Sequence, residues 1–182
     1  MRAIETTKKV EIPEDVDVKI SGRAVTVIGR HGELTRDFSH APVSITLEGS
    51  RVIVQANWPR KKEAAIVGTI CSHIRNMITG STTGFTYKLM SVFSHFPISV
   101  KVKDRTILIE NFTGERSPRK AKIIGAARVA VKGEEIIVQG TNIEEVSQTA
   151  ANIERAVKVK RKDHRVFLDG IYVYKRLEGF EE

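Results

Sequence analysis

VSITLEGSRVIVQAN (residues 43–57) and ARVAVKGEEIIVQGTN (residues 127–142) read alike, and their likeness decides the fold. In each, apolar and polar residues alternate, a glycine step interrupts, and a second apolar run ends in Gln. Successive side chains of a strand point to opposite faces, so period-two patterning marks a strand with one buried face. Glu48-Gly49-Ser50 and Lys132-Gly133-Glu134 supply residues suited to tight hairpin turns. Val52-Ile53-Val54-Gln55 and Ile136-Ile137-Val138-Gln139 are offset by 84 positions, and Ile12-Pro13 and Phe96-Pro97 keep that offset. Gly84-Phe85-Thr86-Tyr87 and Gly170-Ile171-Tyr172-Val173 close the two copies, offset by 86. Three landmarks in one order and nearly one register indicate a duplication.

Two copies are too few for a solenoid, and each is long enough to bury a modest core of its own. The expected domains are residues 1–84 and 85–182. Further strands are predicted at 16–20, 24–28, 44–47, 51–55, 99–103, 106–110, 128–132 and 135–139. A first helix is expected from Pro59 or Arg60 to Gly80, with Ile66, Ile70, Ile74 and Ile78 as its apolar stripe. A second starts at Asn142, with Glu145 placed for a capping box and Val146, Ala150, Ile153 and Val157 inward. Strands in a run followed by one helix, twice over, define an α+β fold: two small domains, each a mainly antiparallel sheet packed against one α-helix.

Hydrophobic residues make up 41% of the 182, enough for packed cores. No apolar run approaches the ~20 residues that cross a bilayer, and MRAIETTKKVEIPED (1–15) lacks the apolar centre of a secretory signal. A single cysteine, Cys71, excludes an intramolecular disulfide framework. These features predict a cytoplasmic protein with no membrane partner. The formal charge of +8 favours acidic partners, nucleic acid first. Residues 1–84 hold 12 Lys/Arg against 9 Asp/Glu, and residues 85–182 hold 18 against 13, densest after Arg155.

Catalytic and cofactor chemistry finds no support. Walker and GxGxxG patterns are absent. The five histidines lack the paired spacing of a zinc site. Cys71 falls inside the first helix, where a buried small side chain is expected rather than a nucleophile. Gly29-Arg30-His31-Gly32 has the form of a backbone-clamping GXXG loop, but strand-like residues flank it, and a hairpin turn fits better. The expectation is a protein that is no enzyme, with neither cofactor nor metal.

Two basic stretches remain. GERSPRKAK (114–122) holds Arg116, Arg119, Lys120 and Lys122, and its Ser-Pro and lack of apolar period predict an exposed loop. KVKRKDHRVFLDGIYVYKR (158–176) carries seven Lys or Arg against two Asp. Its VFLDGIYVY core reads as strand, Asp-Gly turn, strand. Lys158, Lys160, Arg161, Lys162 and Arg165 then crowd the end of the second helix, where the apolar stripe gives out after Val157. The helix dipole accounts for only part of such a cluster, and a solvated helix end competes with a phosphate-binding edge as its explanation.

Lys162 to Arg176, with NMITG (76–80), SHFPI (94–98), IENFTGE (109–115) and VSQTAANIE (146–154), resembles the family of the sixth protein of the large ribosomal subunit, in its archaeal and eukaryotic branch. The resemblance spans essentially the whole chain and looks closest to archaeal members. It implies two duplicated α+β domains and a structural constituent of the large subunit. It also implies rRNA binding near the sarcin–ricin loop and factor-binding region, mainly through the C-terminal domain, beside neighbouring ribosomal proteins and translation factors. The matching positions are Lys162, Arg165, Phe167, Asp169, Gly170, Tyr172 and Arg176; Phe167 would pack and Gly170 shape the backbone. The RNA-binding set expected from resemblance and charge together is Arg155, Lys158, Lys160, Arg161, Lys162, Arg165, Tyr172, Lys175, Arg176, Arg116, Arg119 and Lys120. Arg155 replaces the Gln of many members, and LEGFEE (177–182) is a short acidic tail. The alternative is a free-standing basic RNA-binding or protein–protein adaptor outside the ribosome.

Overall fold

The computed structural model describes residues 4–94, 96–160, 163 and 166–181. They divide into two compact units, Met1–Thr83 and Gly84–Glu182. In the first unit, β1 (Glu5–Glu11), β6 (Arg51–Asn57) and β5 (Ser44–Glu48) form one antiparallel sheet in the order β1-β6-β5. Strands β2 (Asp17–Ser21), β3 (Ala24–Gly29) and β4 (Gly32–Asp37) form a second. Helix α1 (Lys61–Thr82) packs on both, turning Val67, Ile70, Cys71, Ile74, Met77 and Ile78 onto the apolar faces of the strands.

The second unit repeats this plan. Strands β8 (Ser99–Lys103), β9 (Thr106–Glu110) and β10 (Arg119–Lys122) make the small sheet. Strands β7 (Phe85–Val92), β11 (Arg128–Lys132), β12 (Glu135–Gly140) and β13 (Gly170–Glu178) make the other, in the order β11-β12-β7-β13. Helix α2 (Ile143–Ala156) buries Val146, Thr149, Ala150 and Ile153 against β7, β10, β12 and β13. The duplicated stretches at 43–57 and 127–142 thus supply the central strands: β6 lies between β1 and β5, and β12 between β7 and β11. Central placement explains why Val52, Ile53 and Val54, and likewise Ile136, Ile137 and Val138, are all buried rather than alternating.

The α+β duplication therefore stands, with local differences. Gly80 does not stop α1, which runs on to Thr82; Gly80 and Ser81 are buried there. The left-handed turn that ends this stretch falls at Gly84, with φ of 81°. Burial at Gly80 and Ser81 has a visible cause: the β3–β4 turn approaches so closely that a Cβ on Gly29 would lie 2.6 Å from the Ser81 carbonyl oxygen. His31 donates its backbone N–H to that same oxygen at 2.9 Å, so Gly29-Arg30-His31-Gly32 is a hairpin turn seated on a helix end.

Beyond Gly84, the 84–87 segment passes into the next sheet. It opens β7, which holds beside β12 the place that β1 holds beside β6. The half of GERSPRKAK from Arg119 is not loop but strand β10, paired with β9. VFLDGIYVY is not two strands, since regular structure begins only at Gly170. At α2, the Asn142 side chain accepts the Glu144 N–H at 3.0 Å. Glu145 does not reach back to complete a capping box; its carboxylate accepts the Ala126 N–H at 2.6 Å, pinning a neighbouring loop.

Candidate nucleic-acid interface

The second unit builds a groove where α2 ends and β13 begins. Its walls are Glu154, Arg155, Val157, Lys158, Val159, Gly170, Ile171 and Tyr172, around a volume of about 340 Å³. Burial past the helix alternates: Val157 and Val159 are 2% and 7% exposed, whereas Lys158 and Lys160 face solvent. The apolar stripe therefore continues beyond Val157, with its period changed from helical to two. Val-Lys-Val-Lys at 157–160 carried that signal. Burial of Val157 and Val159 leaves the lysines that alternate with them outward, and Arg155 is exposed in the last helical turn before them. Side-chain entropy still has to be overcome, but the backbone is already ordered.

The opposite wall is fixed by a strand irregularity. The pairing of β13 with β7 shifts between Val173 and Lys175. There the Val173 N–H is taken by the Glu154 carboxylate at 2.8 Å, joining helix to strand. Tyr172 is 48% exposed, with its hydroxyl donating to the Leu168 carbonyl at 3.2 Å. An aromatic face beside two cations, with Lys160 exposed next in the chain, is the composition that tracks a nucleic-acid backbone and receives a base.

Arg119 has a different position from the one its sequence suggested. Its Nε and Nη2 meet the Glu115 carboxylate at 2.8 and 2.5 Å, and its Nη1 donates to the Ala156 and Lys158 carbonyls at 2.9 and 3.2 Å. The guanidinium also lies 4.3 Å from the centroid of the buried Phe112 ring. It caps the C-terminus of α2 and ties β10 to the segment that follows the helix. This is an internal brace, not a side chain waiting for phosphate. The two basic stretches thus meet in space, through Arg119.

The other expected positions are scattered. Arg116 and Lys120 are exposed on the β9–β10 connection and on β10. Lys175 and Arg176 are exposed farther along β13; Arg176 is four residues past Tyr172, roughly 13 Å along a strand. Its guanidinium sits 5.5 Å from the Tyr87 centroid. Arg161, Lys162 and Arg165 lie outside the described residues. Phe167, expected to pack, is 38% exposed, and Gly170 is buried at the start of β13. The acidic tail folds back: Glu181 pairs with Lys88 at 2.5 Å, and its carbonyl accepts from Gln139 Nε2 at 2.8 Å. Among the described residues, no three His, Cys, Asp or Glu side chains are grouped to hold a metal.

Fold and groove define a class: a twice-repeated α+β unit with cations gathered at one groove of the second copy. Residues 12–84 and 96–170 match the family model described as ribosomal protein L6, so the chain belongs to the ribosomal protein L6 family. It is 53% identical to large ribosomal subunit protein uL6 of Desulfurococcus amylolyticus, over 98% of both chains. It is 51% identical to the uL6 of Methanosphaera stadtmanae over the full length of both. With that of Aeropyrum pernix it shares 50% identity over 95% of this chain and 96% of the relative.

Proposed function

We propose that this protein is a non-catalytic structural constituent of the large ribosomal subunit, working in the cytoplasm and binding large-subunit rRNA mainly through its second unit. Family membership supports the subunit. The observation that supports the RNA contact is the groove where Arg155 and Lys158 stand exposed beside Tyr172, with Lys160 exposed two residues on. Lysine and arginine there neutralise phosphates and release condensed counterions, while an exposed tyrosine ring receives a base without reading its sequence. Arg161, Lys162 and Arg165 continue the cluster in sequence and belong to the same proposed contact. Lys120, Arg116, Lys175 and Arg176 would form its periphery. The resemblance further supports a position near the sarcin–ricin loop and factor-binding region, with neighbouring ribosomal proteins and translation factors at hand.

Replacing Arg155, Lys158 and Lys160 together by Gln tests this. Stability should stay within about 0.5 kcal/mol, since all three are exposed. The log–log salt slope of rRNA affinity should fall by roughly 0.7–0.9 for each phosphate that is no longer neutralised. Unchanged affinity and slope would make the cluster a solvated helix end. In cell extracts the protein should co-sediment with the large subunit through moderate salt, and absence from subunits rejects the assignment. Chemical footprinting on assembled subunits should protect nucleotides near the sarcin–ricin loop.

A further inference from the structure

The first unit holds a feature that the groove leaves unexplained. Between β6 and α1 stands Trp58, the sole tryptophan of the chain, 64% exposed and with φ of 49°. A bulky side chain in the left-handed region is a steric outlier, and glycine would hold this turn without that cost. Burial does not offset the strain, because most of the indole is in water. Nor is the backbone loose: Trp58 donates its N–H to the Ile4 carbonyl at 2.8 Å, and Pro59 beside it is buried.

Three exposed cations follow directly, Arg60, Lys61 and Lys62, at the end of α1 where the helix dipole disfavours positive charge. One acid, Glu63, shares this turn, and its carboxylate accepts the Arg60 backbone N–H at 2.6 Å, so three cations stand against one carboxylate. Trp58 and Lys62 are four residues apart, so their backbones lie within about 14 Å of each other. An exposed aromatic face and a net excess of two positive charges thus share a short span.

We propose that Trp58 is a stacking platform for one unpaired RNA nucleotide, whose flanking phosphates meet Arg60, Lys61 and Lys62. Every base has a π-face, so an indole accepts one without sequence preference, while phosphates neutralise the charge that Glu63 leaves in excess. An apolar protein surface would cover the ring yet leave three charges to be desolvated. A regular duplex keeps its bases stacked and offers none to the indole. The inference rests on the reading of the chain as an rRNA-binding protein and adds a second, single-base contact from the first unit.

Because Trp58 is the only tryptophan, its emission reports this site alone. The full-length protein would be titrated with purified large-subunit rRNA, with binding followed in parallel by filter retention. Emission should be quenched in step with retention. An oligoadenylate should quench it too, and a fully paired RNA duplex should not. Trp58→Gly should weaken rRNA affinity by roughly 5- to 140-fold, the worth of one base–aromatic stack, with no fall in the unfolding midpoint. Replacing Arg60, Lys61 and Lys62 by Gln should reduce the quench while keeping Trp58 in place. Saturated retention with unchanged emission, or full affinity in Trp58→Gly, overturns the platform and leaves the rRNA assignment standing. Equal quenching by the duplex overturns the unpaired base. Failure of the wild-type protein to retain rRNA at all overturns that assignment and the platform with it.

Discussion

After their helices the two units part company. In the first, α1 runs for 22 residues to Thr82, and β1 forms the edge of its sheet. In the second, α2 stops after 14 residues, and the chain goes on through Val-Lys-Val-Lys, with its valines buried and its lysines exposed, before adding β13 outside β7. Everything up to the helix is the shared plan. The shorter helix leaves chain for an added strand, β13, which brings Tyr172 to the same groove as Arg155 and Lys158. In a duplicated protein, common parts answer to packing, and departures from them are where function is to be sought.

The largest effects should come from the shared cores. Ile74 and Ile153 are each 0% exposed on the inner faces of α1 and α2. Truncating either to Ala should cost about 2–5 kcal/mol, read as a lowered denaturant midpoint. Ile153→Ala should also weaken rRNA binding more than Ile74→Ala does; the reverse order would break the division of labour between the units.

Arg119→Ala comes next. It removes the donor to the Ala156 carbonyl and the pairing with the solvent-exposed Glu115 carboxylate, at a cost of about 1–3 kcal/mol. Calorimetry of the variant should show that drop in stability. Weakened rRNA affinity with unchanged stability would instead make Arg119 a phosphate-binding side chain.

Gly29→Ala probes the first unit alone. The new methyl would meet Ser81 atoms 2.6–2.8 Å away, backbone among them, so overpacking should cost about 1–3 kcal/mol. A midpoint equal to wild type would mean that the β3–β4 turn shifts freely on the helix end, contrary to its hydrogen bond there.

The smallest effect belongs to the β13 edge. The Tyr174 hydroxyl, and after it the Lys88 ammonium, hold the Glu135 carboxyl below its ordinary 4.5. A depressed carboxyl stabilises the fold above the unfolded value and loses that contribution as pH falls through the folded one. Tyr174→Phe should therefore destabilise slightly at neutral pH, and its gap from wild type should close as the solution is acidified below 4.5. Urea midpoints across an acid series would show it; a gap constant with pH would mean that the hydroxyl does not act through Glu135.

Much of the fold is legible in the chain. Period-two runs locate strands at 99–103, 106–110 and 128–132 to the residue, because alternation records directly which face of a strand is buried. The candidate site is legible in part. Lys158 and Lys160 stand out by charge, but their fixed outward direction comes from Val157 and Val159, an alternation too short to notice beside a helix. GERSPRKAK and VFLDGIYVY mislead for a related reason. A four-residue edge strand such as β10 takes its order from its partner β9, whereas VFL is paired in no sheet of the described residues.

By itself, then, the sequence determined the duplication, most of the strands, both apolar helix faces and the excess of positive charge in the second half. Each of these is local, or repeats at a fixed interval, and so survives in one dimension. Only the tertiary structure decided which cations are used up inside the protein. Arg119 and Lys120 are neighbours in one basic run, yet the first ends against carbonyls 37 and 39 residues away while the second faces solvent. A guanidinium's partners are set by whatever acceptors the folded chain brings within about 3 Å of it, and no periodicity along the chain records that distance.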